Sequence, residues 1–121
     1  MQKFTKAERI SFQKEIDLLF DEGTSFSVYP LRVIYVEKKP FSNVPAAILV
    51  SVPKKRFKRA VKRNRVKRLI RETYRLNKNV LLESLHLSEK GLLIAFVYVS
   101  SEICNFSTLD GCMKKIITKL A

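Results

Sequence analysis

The chain has 121 residues, a hydrophobic content of 46%, eight Phe, four Tyr and a formal net charge of +13. This length allows one domain of ordinary size, and this apolar content excludes a disordered chain. No segment approaches the roughly 18 apolar residues of a membrane-spanning helix, and the N-terminal residues lack the apolar core and cleavage site of a secretory signal. We therefore expect a single domain over residues 1–121, located in the cytoplasm.

A helix is the first predicted element. Four apolar side chains recur at the i, i+4, i+7, i+8 spacing of one helix face, namely Phe12, Ile16, Leu19 and Phe20. They predict a helix from about residue 12 to about residue 22, and Gly23 gives it a natural end. Asp17, Asp21 and Glu22 form the one local group of acids, and their place on this helix fits a solvated face.

Three strands and two further helices follow. Residues 26–37 are rich in Val, Ile, Tyr and Phe and predict a strand, in which Pro30 fits only at an edge, a bend or the strand start. After a loop with two prolines, the apolar residues 46–52 predict a strand that is buried on both faces. The remaining predictions are a helix from residue 59 or 60 to about 82, a strand from Gly91, and a helix from residue 107 or 108 to Leu120. This order indicates one compact α+β domain.

The positive charge is concentrated in one segment. Residues 54–75 hold twelve Lys and Arg and one acid, Glu72, so they carry +11, and the other 99 residues together carry +2. Such a density costs self-repulsion and indicates a polyanionic partner, with nucleic acid as the leading candidate. A merely solvated helix face would mix the two signs. Binding to an anionic membrane surface would require exposed bulky apolar residues, whereas the apolar side of this helix is interpreted as core.

Helical spacing divides the predicted basic helix into two sides. An apolar sector about 120° wide is expected to pack on the sheet, and it contains Val66, Leu69, Ile70, Thr73, Leu76, Asn77 and Val80. Beside it, four cations follow one another at i+4 spacing: Arg63, Lys67, Arg71 and Arg75. Because like charges at this spacing destabilise an isolated helix, the row favours phosphate ligands over helix stability. Asn64, Arg68 and Arg71 are expected to converge, and Asn64 suits either a base edge or sugar, or a cap or brace at the helix start.

Other side chains are candidates for binding or chemistry. Three aromatic residues are possible stacking platforms for single-stranded nucleic acid, although periodicity favours the core for each: Phe12, Phe20 and Tyr35. Cys104 and Cys112 have no second pair or neighbouring His to complete a zinc site, so we expect reduced thiols that serve packing. His86 is the one histidine, and its surroundings show no nucleophilic triad.

The segment 54–75, KKRFKRAVKRNRVKRLIRETYR, resembles the signature of the bacterial ribonuclease P protein subunit. The pattern of that family is a Lys pair, an Ala shortly before Arg-Asn-Arg, then Lys-Arg and a downstream Arg. In this sequence it falls on Lys54, Lys55, Ala60, Arg63, Asn64, Arg65, Lys67, Arg68 and Arg71. The resemblance extends over roughly residues 4–119, with a helix that ends in Phe20 before Gly23 and a strand that carries Tyr35.

The resemblance implies a single-domain α/β sandwich in the order αβββαβα, with a left-handed βαβ crossover through the basic helix. It also implies a protein without catalytic residues of its own, which assists a catalytic RNA in removing the 5′ leader from precursor tRNA. The RNA-binding positions are then Lys54, Lys55, Arg59, Arg63, Asn64, Arg65, Lys67, Arg68 and Arg71. The leader would bind in a cleft between the first helix, the sheet and the basic helix, at Ile16, Phe20 and Tyr35.

The partners that the resemblance implies are the ribonuclease P catalytic RNA and the precursor tRNA leader, with no membrane and no further protein required. The protein alone is expected to bind no metal or cofactor, whereas Mg²⁺ is expected for the holoenzyme, whose affinity for substrate and divalent ions the protein enhances. Two residues depart from the family pattern. Ile16 stands where many relatives carry Phe, and Pro53 replaces the usual small polar residue before the Lys pair.

Two other functions fit parts of the sequence. A ribosomal or ribosome-assembly protein could use the same helix on ribosomal RNA, and it would co-purify with ribosomal subunits. A protein-only nuclease would need clustered carboxylates to hold metal ions. The eleven acids of this chain are scattered instead, which argues against the nuclease.

Overall fold

The structure, a computed structural model, describes residues 13–38 and 45–121. The elements are α1 (Gln13–Glu22), β1 (Thr24–Val28), β2 (Leu31–Lys38), β3 (Ala46–Ser51), α2 (Ala60–Ser88), β4 (Gly91–Tyr98) and α3 (Phe106–Leu120). The predicted α+β class and the order αβββαβα are confirmed. α1 ends directly before Gly23, as predicted, whereas Phe12 and the predicted start of this helix lie outside the described residues.

The four strands form one mixed sheet in the order β1-β2-β4-β3. β2 is antiparallel to both β1 and β4, whereas β3 and β4 are parallel. The single strand predicted for residues 26–37 is in fact two strands, because Tyr29 and Pro30, joined by a cis peptide bond, form a turn between them. α2 connects the parallel pair, so the basic helix is the crossover of a βαβ unit. The hand of this crossover remains an expectation from the resemblance.

Helices cover both faces of the sheet. α2 and α3 pack on one face over the larger core cluster, which includes Ile70, Phe96 and Met113. α1 packs on the other face over a smaller cluster that includes Leu19 and Ile34. Because alternate residues of a strand point to opposite faces, strands covered on both sides are apolar along their whole length. The burial predicted for both faces of β3 is confirmed along most of the strand.

The buried side of α2 differs from the predicted sector in its second half. Val66, Ile70 and Thr73 are buried as predicted, whereas Leu76 and Val80 are 46% and 60% exposed. In this half the helix instead buries Tyr74, Lys78, Leu81 and Leu85. α2 packs against both the sheet and α3, so its buried side shifts around the helix and does not follow one straight sector.

The two cysteines are free thiols that make packing contacts. Cys112 is buried in α3, and its thiol donates to the carbonyl oxygen of Tyr29 at 2.8 Å, which ties this helix to the β1–β2 turn. Burial raises the pKa of the Cys112 thiol. Cys104 lies in the loop before α3, where its backbone N–H donates to the Tyr98 hydroxyl at 3.2 Å.

Gly23 lies where the end of α1 meets β2, and a side chain would not fit there. A Cβ atom at this position would lie 2.2 Å from the Leu19 carbonyl oxygen and 2.6 Å from Cγ2 of Ile34. We expect Gly23→Ala to lower the free energy of unfolding by about 1–3 kcal/mol, because backbone atoms must shift to admit the methyl group.

Gly111, exposed in α3, provides the matched control for this substitution. A Cβ atom added there meets nothing within 4 Å. Gly111→Ala is therefore expected to raise the free energy of unfolding by about 0.5–1 kcal/mol, since Ala favours the helix. Urea unfolding measures both variants, and a Gly23→Ala protein as stable as the unmodified chain would contradict the close approach of α1 to β2.

Candidate nucleic-acid interface

The segment between β3 and α2, which we call the lead-in turn (residues 53–59), is anchored in the core. The Arg56 N–H donates to the Pro53 carbonyl oxygen at 3.0 Å, which closes the turn. Phe57 is 6% exposed, and its ring centroid lies 6.0 Å from that of Tyr98. Arg56 is half-buried, whereas the remaining basic side chains of the turn are exposed, namely Lys54, Lys55, Lys58 and Arg59.

α2 begins without a capping side chain. Arg59 is its N-cap residue and makes no side-chain cap hydrogen bond, and the first turn contains no acid. The partial positive charge of the helix N-terminus therefore adds to the cations of the lead-in turn. Asn64 lies in the second turn and is exposed. The alternative that Asn64 caps the helix is therefore wrong.

The polar side chains of the first half of α2 differ in exposure. Asn64, Arg65 and Arg68 are exposed, whereas Lys67 and Arg71 are half-buried. Asn64 and Arg68 are four residues apart and so share one side of the helix. The group predicted to converge from Asn64, Arg68 and Arg71 thus has two exposed members and one half-buried member.

Arg63 and Arg75, the first and last cations of the predicted i+4 row, are engaged within the protein. Nη1 of Arg63 donates to the carbonyl oxygens of Phe57 and Lys58, at 2.9 and 2.8 Å. Arg75 donates to the Glu72 carboxylate through Nε at 3.2 Å and Nη2 at 2.5 Å, and these bonds lower the pKa of Glu72. The row that was predicted from Arg63 to Arg75 is therefore not one exposed ladder of phosphate ligands.

The exposed cations of the lead-in turn and of the start of α2, together with Asn64, form what we call the basic surface. Its members are Lys54, Lys55, Lys58, Arg59, Lys62, Asn64, Arg65 and Arg68. The planar guanidinium groups can bind phosphate through two donors, and the ammonium groups act as point charges. Lys58 and Lys62 were missed by the sequence prediction, although their place among the cations of this segment was a signal for them.

The predicted leader-binding residues do not share one surface. Ile16 and Phe20 belong to α1, on one face of the sheet. Tyr35 points to the opposite face, where its ring meets the ring of Phe26 edge-on, with centroids 6.0 Å apart. The prediction that Tyr35 lies beside Ile16 and Phe20 is therefore wrong. Since strand residues alternate between faces, the β2 residue that faces α1 is the neighbouring Ile34.

The α1 face of the sheet remains partly open. Val36, Leu49 and Val97 are half-buried apolar side chains on this face. Phe20 is 52% exposed and supplies the one aromatic ring on this face within residues 13–38 and 45–121. β3, the edge strand that carries Leu49, continues into the lead-in turn. An apolar surface with one exposed ring therefore adjoins the basic surface.

The described residues offer no cluster of acids for metal chemistry. Within residues 13–38 and 45–121, no three His, Cys, Asp or Glu side chains are grouped as a metal ion would require. Asp17 on α1 accepts a hydrogen bond from Nε2 of Gln13 at 2.8 Å. None of the helices in this part of the chain is both long and apolar enough to cross a membrane.

Comparison with known proteins identifies the family. The sequence profile of the family described as Ribonuclease P matches residues 4–121. Over 117 residues the chain is 47% identical to the ribonuclease P protein component of Porphyromonas gingivalis, an alignment that covers 97% of this chain and 85% of that protein. The chain belongs to the ribonuclease P protein family. As a member, it is a protein subunit of ribonuclease P and functions in tRNA processing.

Other ribonuclease P proteins extend the comparison. The protein component from Clostridium acetobutylicum is 36% identical over 117 residues, which cover 94% of this chain and 89% of that protein. The ribonuclease P protein structure from Thermotoga maritima has the same fold, with a TM-score of 0.73 at 24% identity over 94% of this chain and 98% of that one. A Staphylococcus aureus structure gives 0.71 at 20% identity, covering 94% and 88%. The family match and the curated relatives favour ribonuclease P over the alternative of a ribosomal or ribosome-assembly protein.

Proposed function

We propose that the chain binds ribonuclease P RNA through the basic surface and the 5′ leader of precursor tRNA along the α1 face of the sheet. The observation that carries this proposal is the exposure of Lys and Arg side chains, without an acid among them, from the lead-in turn to Arg68. Beside this surface lies a face with a different chemistry, which is apolar and partly open.

The basic surface suits a folded RNA backbone. Each phosphate that a Lys or Arg neutralises releases condensed counterions, which makes binding favourable and dependent on salt. Arg65 and Arg68 can each present two donors to a phosphate, and Arg can also stack on a base. Asn64, which directly precedes Arg65 and lies one helical turn before Arg68, can pair with a base edge or a ribose hydroxyl.

The α1 face suits a single strand. Unpaired bases stack on exposed aromatic rings while a neighbouring basic groove follows their phosphates. Phe20 supports this role because half of its side chain is exposed. Ile16 of α1 and Ile34 of β2 add apolar side chains to the same face of the sheet, and Tyr35, on the other face, has no part in the proposal.

The proposal assigns catalysis to the RNA and binding to the protein. We propose that the protein increases the affinity of the holoenzyme for substrate and for Mg²⁺, in the cytoplasm. We place this Mg²⁺ with the RNA, and the described part of the chain contains no group of three His, Cys, Asp or Glu side chains that could hold a metal ion. The protein's own contribution is to position the leader and to neutralise RNA phosphates.

Reconstitution with the ribonuclease P RNA of the same organism tests this function. Precursor tRNA carrying a full leader is compared with precursor whose leader is trimmed to a single nucleotide, at low magnesium. We expect the protein to increase cleavage over RNA alone and to tighten binding of the full-leader substrate more than of the trimmed one. No gain over RNA alone would contradict RNA binding, and an equal gain with both substrates would contradict leader binding.

The protein without RNA is the control for the nuclease alternative. After exhaustive removal of co-purifying RNA, we expect it to leave precursor tRNA intact, since the described carboxylates form no metal cluster. Cleavage by this preparation would restore the protein-only nuclease as the better assignment.

A further inference from the structure

The guanidinium group of Arg63 points back toward the chain that precedes α2. Its Nη1 atom donates to the carbonyl oxygen of Phe57 at 2.9 Å and to that of Lys58 at 2.8 Å. Both carbonyl groups belong to the lead-in turn and lie before the N-cap residue Arg59. Arg63 therefore links the beginning of the helix to the turn that brings the chain into it.

Two anchors hold the lead-in turn in place. One is the ring of Phe57, which is buried against Tyr98, and the other is the pair of hydrogen bonds from Arg63. The exposed cations on either side of these anchors repel one another. This repulsion is expected to open the turn when an anchor is removed. The N-cap residue Arg59 makes no side-chain cap hydrogen bond that could take the place of the hydrogen bonds from Arg63.

We infer that Arg63 is a positioning residue, which organises the lead-in turn for RNA binding and is not itself a phosphate ligand. This inference deepens the proposed function and rests on it. Arg63 acts on the RNA through Lys54 and Lys55, whose exposed ammonium groups it holds in one arrangement. The Arg-Asn-Arg motif is thereby divided, because Asn64 and Arg65 are exposed whereas the Arg63 guanidinium is committed to two carbonyl groups.

A positioning role and a phosphate-binding role for Arg63 predict different RNA affinities when Lys replaces this residue. A phosphate ligand needs a positive charge, which Lys retains. The observed geometry needs a guanidinium group whose donors reach two neighbouring carbonyl oxygens, and the ammonium group of Lys does not reproduce that planar geometry. Arg63→Lys therefore resembles Arg63→Ala if Arg63 positions the turn, and resembles the unmodified protein if Arg63 binds phosphate.

Amide hydrogen exchange of the full chain without RNA tests the anchor directly. We expect peptides that cover residues 53–60 to exchange faster in both Arg63→Ala and Arg63→Lys, with circular dichroism showing that both variants remain folded. Arg68→Ala, which removes an exposed cation of the same helix, is expected to leave that exchange unchanged. Unchanged exchange in the Arg63 variants would overturn the anchor, whether or not the chain binds RNA.

A double-mutant cycle with ribonuclease P RNA tests the coupling to the lysines. Losing two hydrogen bonds is expected to weaken binding about tenfold in Arg63→Ala, and about equally in Arg63→Lys. In a background of Lys54→Ala and Lys55→Ala, the same substitutions should cost less than about twofold, because residues that act through one another are not additive. Arg68→Ala should cost the same factor in both backgrounds.

Each outcome of the cycle decides the role of Arg63. Full rescue by Arg63→Lys, or an equal loss in both backgrounds, would make Arg63 a phosphate ligand and overturn the inference. If the unmodified protein failed to bind the RNA, the proposed function would fall. The exchange measurement would then still show whether Arg63 holds the turn, so the two failures are distinguishable.

Discussion

Replacing Arg68 by Ala is expected to weaken binding to ribonuclease P RNA by about 10- to 100-fold, the cost of one hydrogen-bonded charged contact. In a plot of log affinity against log salt concentration, the magnitude of the slope should fall by about 0.7–0.9, because binding neutralises one phosphate fewer. Arg68 is exposed on α2, one helical turn beyond Asn64, and Ala keeps the helix intact. Filter binding across a salt series and urea unfolding measure the two effects.

Lys115→Ala is the charge-matched control for Arg68→Ala. Lys115 is exposed on α3, beside Val28 of β1, whereas the lead-in turn of the basic surface follows β3, at the other edge of the sheet. Its removal lowers the net charge equally and should change affinity by less than about twofold, since Lys115 is not a member of the basic surface. An equal loss in both variants would show that net charge, not the basic surface, governs binding.

Phe20→Ala is expected to remove most of the preference of the holoenzyme for precursor tRNA with a full leader. Stacking of one base on an aromatic ring contributes about 1–3 kcal/mol, which corresponds to about 5- to 150-fold in affinity. Binding of the trimmed-leader substrate should stay unchanged, because no unpaired base then reaches the ring. Dissociation constants of both substrates, with unmodified and variant protein in the holoenzyme, measure this difference.

Tyr35→Ala separates the two faces of the sheet. The Tyr35 ring packs edge-on against Phe26 on the face that carries α3. Because the side chain is half-buried, its loss should lower the free energy of unfolding by about 1–3 kcal/mol, less than the loss of a fully buried ring. The leader preference of the folded variant should remain. If Tyr35→Ala abolished this preference and Phe20→Ala did not, the leader would bind on the opposite face from the one proposed.

Tyr35 shows why the sequence could not assign the leader-binding face. Strand β2 is apolar on both faces, with Val33 and Tyr35 on one side and Ile34 and Val36 on the other. Alternation identifies the strand, but it distinguishes the faces only when one of them is polar. Which side of β2 lies under α1 depends on how the helices pack on the sheet, and residues distant in the sequence determine this packing.

The buried side of α2 was predicted correctly for the first half of the helix, but not for the half that packs against α3. Its first half packs as a single apolar sector predicts, through Val66 and Ile70. Farther along, helical spacing gave no information about the second neighbour, α3, which contacts the helix through Asn77 and Asp110 at 2.7 Å. Leu76 and Val80 were therefore assigned to the core, although they are exposed.

The roles of individual cations were also beyond the sequence. Charge density correctly located the basic surface, but it treated Arg63, Arg68 and Arg75 alike. The structure distinguishes them, because Arg63 donates to backbone carbonyl groups and Arg75 to Glu72, whereas Arg68 is exposed. Such partners depend on the direction of each side chain, which spacing along a helix does not reveal.

The parallel pairing of β3 with β4 also imposes an order on folding. Ala46 lies opposite Leu92, and the whole of α2 lies between these two strands in the sequence. Pairing these strands therefore closes a loop that contains a long and highly charged helix, and such non-local contacts slow folding. A polyanion that binds α2 reduces the repulsion between its cations. The RNA that binds this protein therefore also stabilises its native state.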